Sequence, residues 1–301
     1  MAKKKGVTTN LAGKSAKHKN HTVPKGLLKQ WLTKKDEQEG YWVLDCNSGN
    51  VQFRKGDGAS FAIKEFRYVP VRYTPEGTAY RDEWLEDWFS QGESDLVVVT
   101  KQLSSGQFAA VKDKARDNFI TAAIMLGFRS AYEFDCMEMK LRRENPDGSD
   151  EVIGRWVVDH FRSLHAAKLE QFKNWDFALH SGMAERLLIG DRPLFDMTMS
   201  DSQFQTVVIP LTPDHFLSGC PPENPAQITW QLKCGRAAGG AAIGLNSMTA
   251  KLARQFVVGE HQQLLALSDL FTQQQFTERK AKDVFLEFSK EKHVARTPVN
   301  E

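Results

Sequence analysis

Two apolar runs that stop abruptly constrain this chain more than any other feature. Leu188-Ile189 gives way to Gly190-Asp191-Arg192-Pro193, and Val207-Val208-Ile209 to Pro210-Leu211-Thr212-Pro213. A short β-rich apolar run closed by Gly, Asp or Pro is how a buried strand leaves the core for a surface turn. Each run therefore predicts a strand. Asp191 is placed at a strand end, where an open sheet presents side chains to a ligand.

Further strand signals flank a helical middle. Tyr41 to Asp45 and Val51 to Phe53, joined by Cys46-Asn47-Ser48-Gly49-Asn50, read as a β-hairpin whose turn is supplied by Asn and Gly. Residues 59 to 66 read as a short helix. Tyr80 to Phe89 puts Trp84, Leu85, Trp88 and Phe89 on one helical face and Asp82, Glu83, Glu86 and Asp87 on the other, an acidic face expected to be solvated. Phe108 to Tyr132 and Glu151 to Trp175 carry the helical period of a buried face. Strand signals return at Trp175 to Leu179, Arg186 to Ile189, Gln205 to Ile209 and Ile228 to Leu232. Met248 to Phe256 reads as a helix with Asn246 near its start as a cap, and Thr277 to Ser289 as a last amphipathic helix. This order predicts an α+β fold, a mainly antiparallel sheet with a helical segment at about 105 to 175 packed on it. Residues 1–20 form a disordered basic arm in this reading, 21–291 a single domain and 292–301 a polar tail.

At 301 residues, with 41% hydrophobic and 26% charged, the chain can bury a full core. Lys3-Lys4-Lys5 is followed by polar residues, where a signal peptide would need an apolar run of roughly 7–15 residues. A cytoplasmic protein without a membrane span is the expectation. Cys46, Cys136, Cys220 and Cys234 lie far apart and form no Cys-x-x-Cys pair, so they support neither a zinc knuckle nor a disulfide frame. Gly13-Lys14-Ser15 lacks the earlier glycine and the preceding strand of a phosphate loop, and Gly235 to Gly244 has no dinucleotide-binding register. The net charge of +2 is unevenly spread. Residues 1–35 hold ten lysines and no acid, leaving 30 basic against 38 acidic residues in the rest. An arm of that kind suits phosphate or the protein's own acidic faces.

Three polar residues in turns or at element ends remain as candidates for chemistry. His21 stands just before the helix predicted from Pro24, near unpaired backbone N–H groups. With Asp191 and Asn246 it could supply a general base, an orienting carboxylate or metal ligand, and a substrate-positioning amide. The same residues also fit as helix caps and as an acceptor inside the Asp191 turn. Arg192, Lys17, Lys19 and Lys25 are candidates for binding substrate. The paired carboxylates Asp82, Glu83, Glu86 and Asp87, at three- and four-residue spacing, can hold a divalent metal, although a solvated face is the expected outcome. No cofactor is specified by these residues.

The Gly190-Asp191-Arg192-Pro193 turn followed by Pro210-Leu211-Thr212-Pro213 resembles the bacterial family called domain of unknown function 4238. His21-Thr22-Val23-Pro24 with Leu27, Leu28 and Trp31 resembles that family's opening His-x-Val-Pro segment. Tyr41 to Asp45, Phe66-Arg67-Tyr68, and Leu245-Asn246 with Ala250 to Val258 resemble its next strand, its Phe-Tyr element and its closing helix. The resemblance spans about residues 18–260 and marks His21, Asp191 and Asn246 together; because the family tends to carry acids in the helical region of Glu86 and Glu93, it also implies these two as candidates for a divalent metal. Arg192 departs from it, where the family more often has a small or amide residue, and this implies a changed ligand preference. Two functions are expected from these features. One is a hydrolase, foremost a nuclease acting on RNA or DNA in bacterial defence or as a toxin, with nucleic acid engaged through the basic arm. The other is a non-catalytic module binding a ligand or partner in the same pocket.

Overall fold

The computed structural model describes residues 19–65, 69–104, 129–173, 175–196, 206–222, 233–237 and 239–270, together with Asn118, Thr121, Ala122, Met125 and Leu126. In chain order the strands are β1 (Lys19–His21), β2 (Thr33–Lys35), β3 (Gln38–Asp45), β4 (Val51–Lys55), β5 (Ile63–Glu65), β6 (Val71–Tyr73), β7 (Ala79–Arg81), β8 (Asp176–Ser181), β9 (Ile189–Gly190), β10 (Phe195–Asp196), β11 (Val207–Thr212), β12 (His215–Cys220), β13 (Lys233–Arg236) and β14 (Phe256–Gly259). The α-helices are α1 (Lys25–Leu28), α2 (Trp84–Ser104), α3 (Ala131–Glu144), α4 (Asp150–Lys173), α5 (Ala241–Leu252) and α6 (His261–Leu270).

One five-stranded sheet runs β2-β3-β14-β9 with β4 added on β3, and all its pairings are antiparallel. The other runs β10-β11-β12-β8-β13 and is antiparallel except where β13 joins β8. Side chains alternate across each strand, and here both faces are apolar. Tyr41 and Val43 of β3, Ile189 of β9, and Phe256 and Val258 of β14 meet Phe177, Leu179, Val207, Ile209 and Leu217 of the second sheet in one core. The opposite face of the first sheet, through Leu44 and Val257, packs on Ala250, Ala253 and Leu264. The opposite face of the second, through Val208 and Phe216, packs on Ala242 and Leu245. Helix α5 thus spans the outer faces of both sheets.

The helical segment has a core of its own, in which Leu85 and Phe89 of α2, Met125, Phe134 of α3, and Ile153, Val157 and Phe161 of α4 interlock. Leu96, Ala122, Leu126 and Phe172 carry it onto the core between the sheets. The fold is therefore α+β, with a mainly antiparallel arrangement of strands and a mid-chain helical segment. Among the described residues no helix is long and apolar enough to cross a membrane.

Several local expectations change. The predicted hairpin is β3–β4, with Leu44 opposite Val51. The predicted helix at 59–66 is a single 3-10 turn, Ser60–Ala62, that leads straight into β5. Pro210 lies inside β11 instead of ending it. Its missing N–H is absorbed by a register shift between Pro210 and Thr212. Asn246 is inside α5 and not at its start, because the helix begins at Ala241 after Gly240 in the left-handed region. That helix stops at Leu252, and Phe256–Gly259 is a strand at the heart of the first sheet. Asp82 and Glu86 are buried in place of forming a solvated acidic face. The basic arm to residue 18, Phe66-Arg67-Tyr68, the strand expected at 228–232, the helix at 277–289 and the polar tail lie outside the described residues.

Candidate active site

His21 ends β1, where its pairing with Ile63 of β5 fixes its backbone. The next residue reinforces this, since both the N–H and the hydroxyl of Thr22 donate to the Ala62 carbonyl, at 2.7 and 3.1 Å. The half-buried His21 ring places Nε2 3.3 Å from the carbonyl oxygen of Gly58. A carbonyl only accepts, so Nε2 carries the proton and Nδ1 presents its lone pair. Burial lowers the His21 pKa below its ordinary value. The Arg129 and Lys25 charges act in the same direction, while the Gly58 carbonyl and Glu93 oppose them. The imidazole is neutral at neutral pH.

Arg129 is the residue that joins the candidates. It is 2% exposed. Its Nε donates to the backbone carbonyl of His21 and its Nη1 to Glu93 Oε1, while Nη2 lies 3.9 Å from Glu86 Oε1. The Phe89 ring lies under the guanidinium, 5.1 Å from centroid to carbon. A buried charge persists only when paired and hydrogen-bonded, and the planar guanidinium fork reaches three acceptors at once. Glu86 and Glu93, two helical turns apart on α2, are thereby directed to Arg129. Among the described residues no three His, Cys, Asp or Glu side chains are grouped so as to hold a metal ion.

Asp191 follows β9 and is fully buried, not presented to solvent as its place at a strand end suggests. Its Oδ1 accepts the Arg254 N–H at 2.8 Å, and its own N–H donates to the Phe256 carbonyl at 3.2 Å. Burial raises its pKa. Backbone N–H groups, chiefly that of Arg254, and the Arg192 charge counter this in part. Asn246 is likewise committed to backbone, its Oδ1 accepting the Leu188 N–H at 2.8 Å and its Nδ2 donating to the Arg186 carbonyl at 2.9 Å. These two side chains clamp the segment that becomes β9, one on either side of Leu188-Ile189-Gly190. The hydrogen bonds of His21, Asp191 and Asn246 lead to different partners and form no shared network.

Arg192 faces the start of α3. Its guanidinium carbon lies 4.3 Å from the centroid of the Tyr132 ring, and Nη2 donates to Glu133 Oε1. Arg254 approaches the same ring at 5.2 Å. Burial and a hydrogen bond with Cys136 push the Tyr132 phenol up to about 12, so it stays protonated. Tyr132 is only three residues beyond Arg129, which keeps their Cα atoms within about 11 Å of each other. The His21–Arg129 cluster and the two arginines on Tyr132 are thus built from nearby points of the chain. Lys25 and Lys29 both pair with Asp57, at 3.5 and 2.7 Å. Lys19 is exposed on β1, and Lys17 lies outside the described residues.

Arg129, Tyr132, Glu133 and Arg254 were not among the residues that spacing singled out. Arg129 left one signal, a lone cation closing the apolar run Ile120 to Phe128. A cation in that position must find buried acids on a neighbouring helix. A concavity of about 200 Å³ opens elsewhere, between Gln30–Thr33, Trp42, Arg186 and His261. Trp42 is already stacked on His261 there, 3.8 Å between ring centroids. No family model, curated protein or solved structure matches the chain.

Proposed function

We propose that the protein is a hydrolase of the nuclease class, in which Nδ1 of His21 is the general base that takes the proton of the attacking hydroxyl or water at a phosphodiester. The observation that carries this is the state of the imidazole. It is neutral, turned by the Gly58 carbonyl so that Nδ1 is free to accept, and pinned at its backbone by Arg129. It also stands where the lysine-rich N-terminal segment enters the fold, so a polyanion gathered by those lysines meets His21 first. Membership of the domain of unknown function 4238 family is proposed on the motifs that resemble it, chiefly Gly190-Asp191-Arg192-Pro193, Pro210-Leu211-Thr212-Pro213 and His21-Thr22-Val23-Pro24.

Cleavage of labelled RNA and DNA oligonucleotides by wild type and His21→Ala tests this. General-base catalysis is worth about 10²–10⁴-fold, so the variant should lose at least two orders of magnitude with its melting temperature unchanged. Full cleavage by His21→Ala refutes the role of the imidazole. A second reading, a non-catalytic binding module, is favoured by the commitment of Asp191 Oδ1 and of both polar atoms of the Asn246 amide to backbone hydrogen bonds. Wild-type protein that binds either oligonucleotide without turnover would select it.

A further inference from the structure

We propose that Lys25 and Lys29, converging on the Asp57 carboxylate beside His21, form a subsite for a phosphate group of the nucleic-acid strand, next along the strand from the one that is cleaved. That the phosphate belongs to a strand undergoing cleavage rests on the nuclease reading. That the two ammoniums take an anion rests on their geometry and charge.

The convergence is direct. Nζ of Lys29 and Nζ of Lys25 lie 2.7 and 3.5 Å from the same oxygen, Asp57 Oδ2. The next residue, Gly58, offers the carbonyl that holds His21 Nε2 at 3.3 Å. One turn therefore carries both the acceptor that orients the imidazole and the carboxylate that gathers the lysines. The buried Tyr41 of β3 seats that turn, its hydroxyl donating to the Asp57 carbonyl at 3.3 Å. Lys25 is close enough for its charge to act on the His21 ring.

Deeper in the same cluster, the cation Arg129 is matched by Glu93 and Glu86. At the surface two ammoniums share one carboxylate oxygen, and neither has a second acid partner among the described residues. The Lys25, Lys29 and Asp57 side chains are 36%, 43% and 47% exposed. An exposed ion pair contributes little to stability, so these lysines are not spent on holding the fold. At 3.5 Å from Oδ2, Lys25 is at the limit of a hydrogen bond and is the freer of the two. A phosphodiester on Lys25 brings the two cations and Asp57 to neutrality without expelling the carboxylate.

The orientation of the imidazole says which phosphate this is. Nε2 is turned to Gly58 and hence to the lysine-bearing side, while Nδ1, the proposed base, points away from that turn. A phosphate on the lysines is therefore a neighbour of the one at which Nδ1 acts, and holding it lays the strand across His21. Lysine binds phosphate as a point charge, so the subsite engages the strand's backbone and carries no sequence preference.

Asp57 separates this role from that of a structural ion cluster. If the three side chains only brace the turn on α1, Asp57→Asn loosens it and does nothing for anions. If they form a subsite, Asp57→Asn frees both ammoniums and tightens anion binding.

The test titrates inorganic phosphate into the full-length protein at low salt and constant pH, following the His21 ring protons by NMR. Thermal melts and steady-state cleavage of one RNA and one DNA oligonucleotide run alongside for each variant. Wild type should show a saturable shift. Lys25→Gln and Lys29→Gln should each raise the Kd for phosphate several-fold, and should raise KM for the oligonucleotide more than they lower kcat. Asp57→Asn should lower both Kd and KM, and the control Lys251→Gln, an exposed change on α5, should alter neither. Lys29→Arg keeps the charge and should keep the binding, which separates loss of charge from loss of fold. Wild type that binds no phosphate overturns the subsite, as does a Kd that neither folded glutamine variant changes or a folded Asp57→Asn protein that binds more weakly. Wild type that binds phosphate through both lysines yet cleaves neither RNA nor DNA keeps the subsite and sinks the nuclease reading. Cleavage with a KM that neither lysine variant moves keeps the nuclease reading and sinks the subsite.

Discussion

His21 and Asp191 are both titratable and both shifted by burial, and the shifts have opposite consequences. Burial lowers the His21 pKa, so the folded protein holds fewer protons than the unfolded chain below the ordinary imidazole value of 6.5. The stability this contributes is present above that value and is lost as pH falls through it towards the folded pKa. Activity should follow the same group, with the acid limb of kcat/KM centred below 6.5. Glu93 raises the His21 pKa, so Glu93→Gln should move that limb to still lower pH. A pH–rate profile that is flat across this range, or one that Glu93→Gln moves upward, removes His21 as the base. For Asp191 the folded pKa lies above the ordinary 3.8, so the folded protein keeps a proton that the unfolded chain has lost. The stability due to that proton declines as pH rises from 3.8 through the folded value. Asp191→Asn keeps an oxygen for the Arg254 N–H and cannot ionise, so it should gain on wild type as pH rises. Asp191→Ala strands that N–H and should cost on the order of 1–3 kcal/mol. Urea unfolding of the three proteins at a series of pH values checks both. His21 was legible as a candidate because it precedes Pro24 and a helical pattern. The structural employment of Asp191 was not, because its acceptor role depends on Arg254, 63 residues away.

The misreadings of β14 and of Asn246 share one physical cause. β14 is apolar on both faces, Phe256 and Val258 turned to one core and Val257 to another. A strand buried on both sides shows no alternation and cannot be told by period from the helix that precedes it. β3 was legible because Asn and Gly punctuate its hairpin, and α4 because its long apolar stripe faces α2 and α3. Asn246 illustrates the same limit, since it reads as a cap until the Leu188 and Arg186 backbone is in place beside it. Asn246→Ala should leave a buried Leu188 N–H unpaired and cost on the order of 1–3 kcal/mol. Asn246→Asp should fail to restore stability, because a carboxylate accepts from Leu188 but has no N–H for the Arg186 carbonyl. An Asp variant that melts like wild type would show that only the acceptor matters. Gly40 makes a second test at this scale. A Cβ there would fall 2.3 Å from the Arg54 carbonyl oxygen of β4, an atom that cannot swing aside. Gly40→Ala should therefore force β3 and β4 apart and cost about 1–3 kcal/mol by overpacking.

Across the whole molecule the charge is divided between a lysine-rich N-terminal stretch and a body with an excess of acid. Residues 1–35 carry +10 and the remainder −8. β1 anchors the boundary, holding Lys19 at the surface while Lys25 and Lys29 are already paired with Asp57. Of the lysines ahead of β1, five lie between residues 2 and 18. If these reach phosphates, each adds about −0.9 to the slope of log K against log salt for duplex DNA, and about −0.7 for a single strand. Deleting residues 2–18 should then flatten the slope by up to about 4.5 or 3.5 units respectively and weaken binding at low salt. The competing arrangement, an arm folded back on the acidic body, has the opposite signature, because removing the arm uncovers no cation and frees none for the ligand. In that case affinity and slope stay where they were, and the melting temperature falls with the loss of the internal attraction. Binding isotherms for one oligonucleotide at a series of salt concentrations, with melts of both proteins at the lowest, separate the two. A slope unchanged by the deletion takes the arm out of nucleic-acid binding.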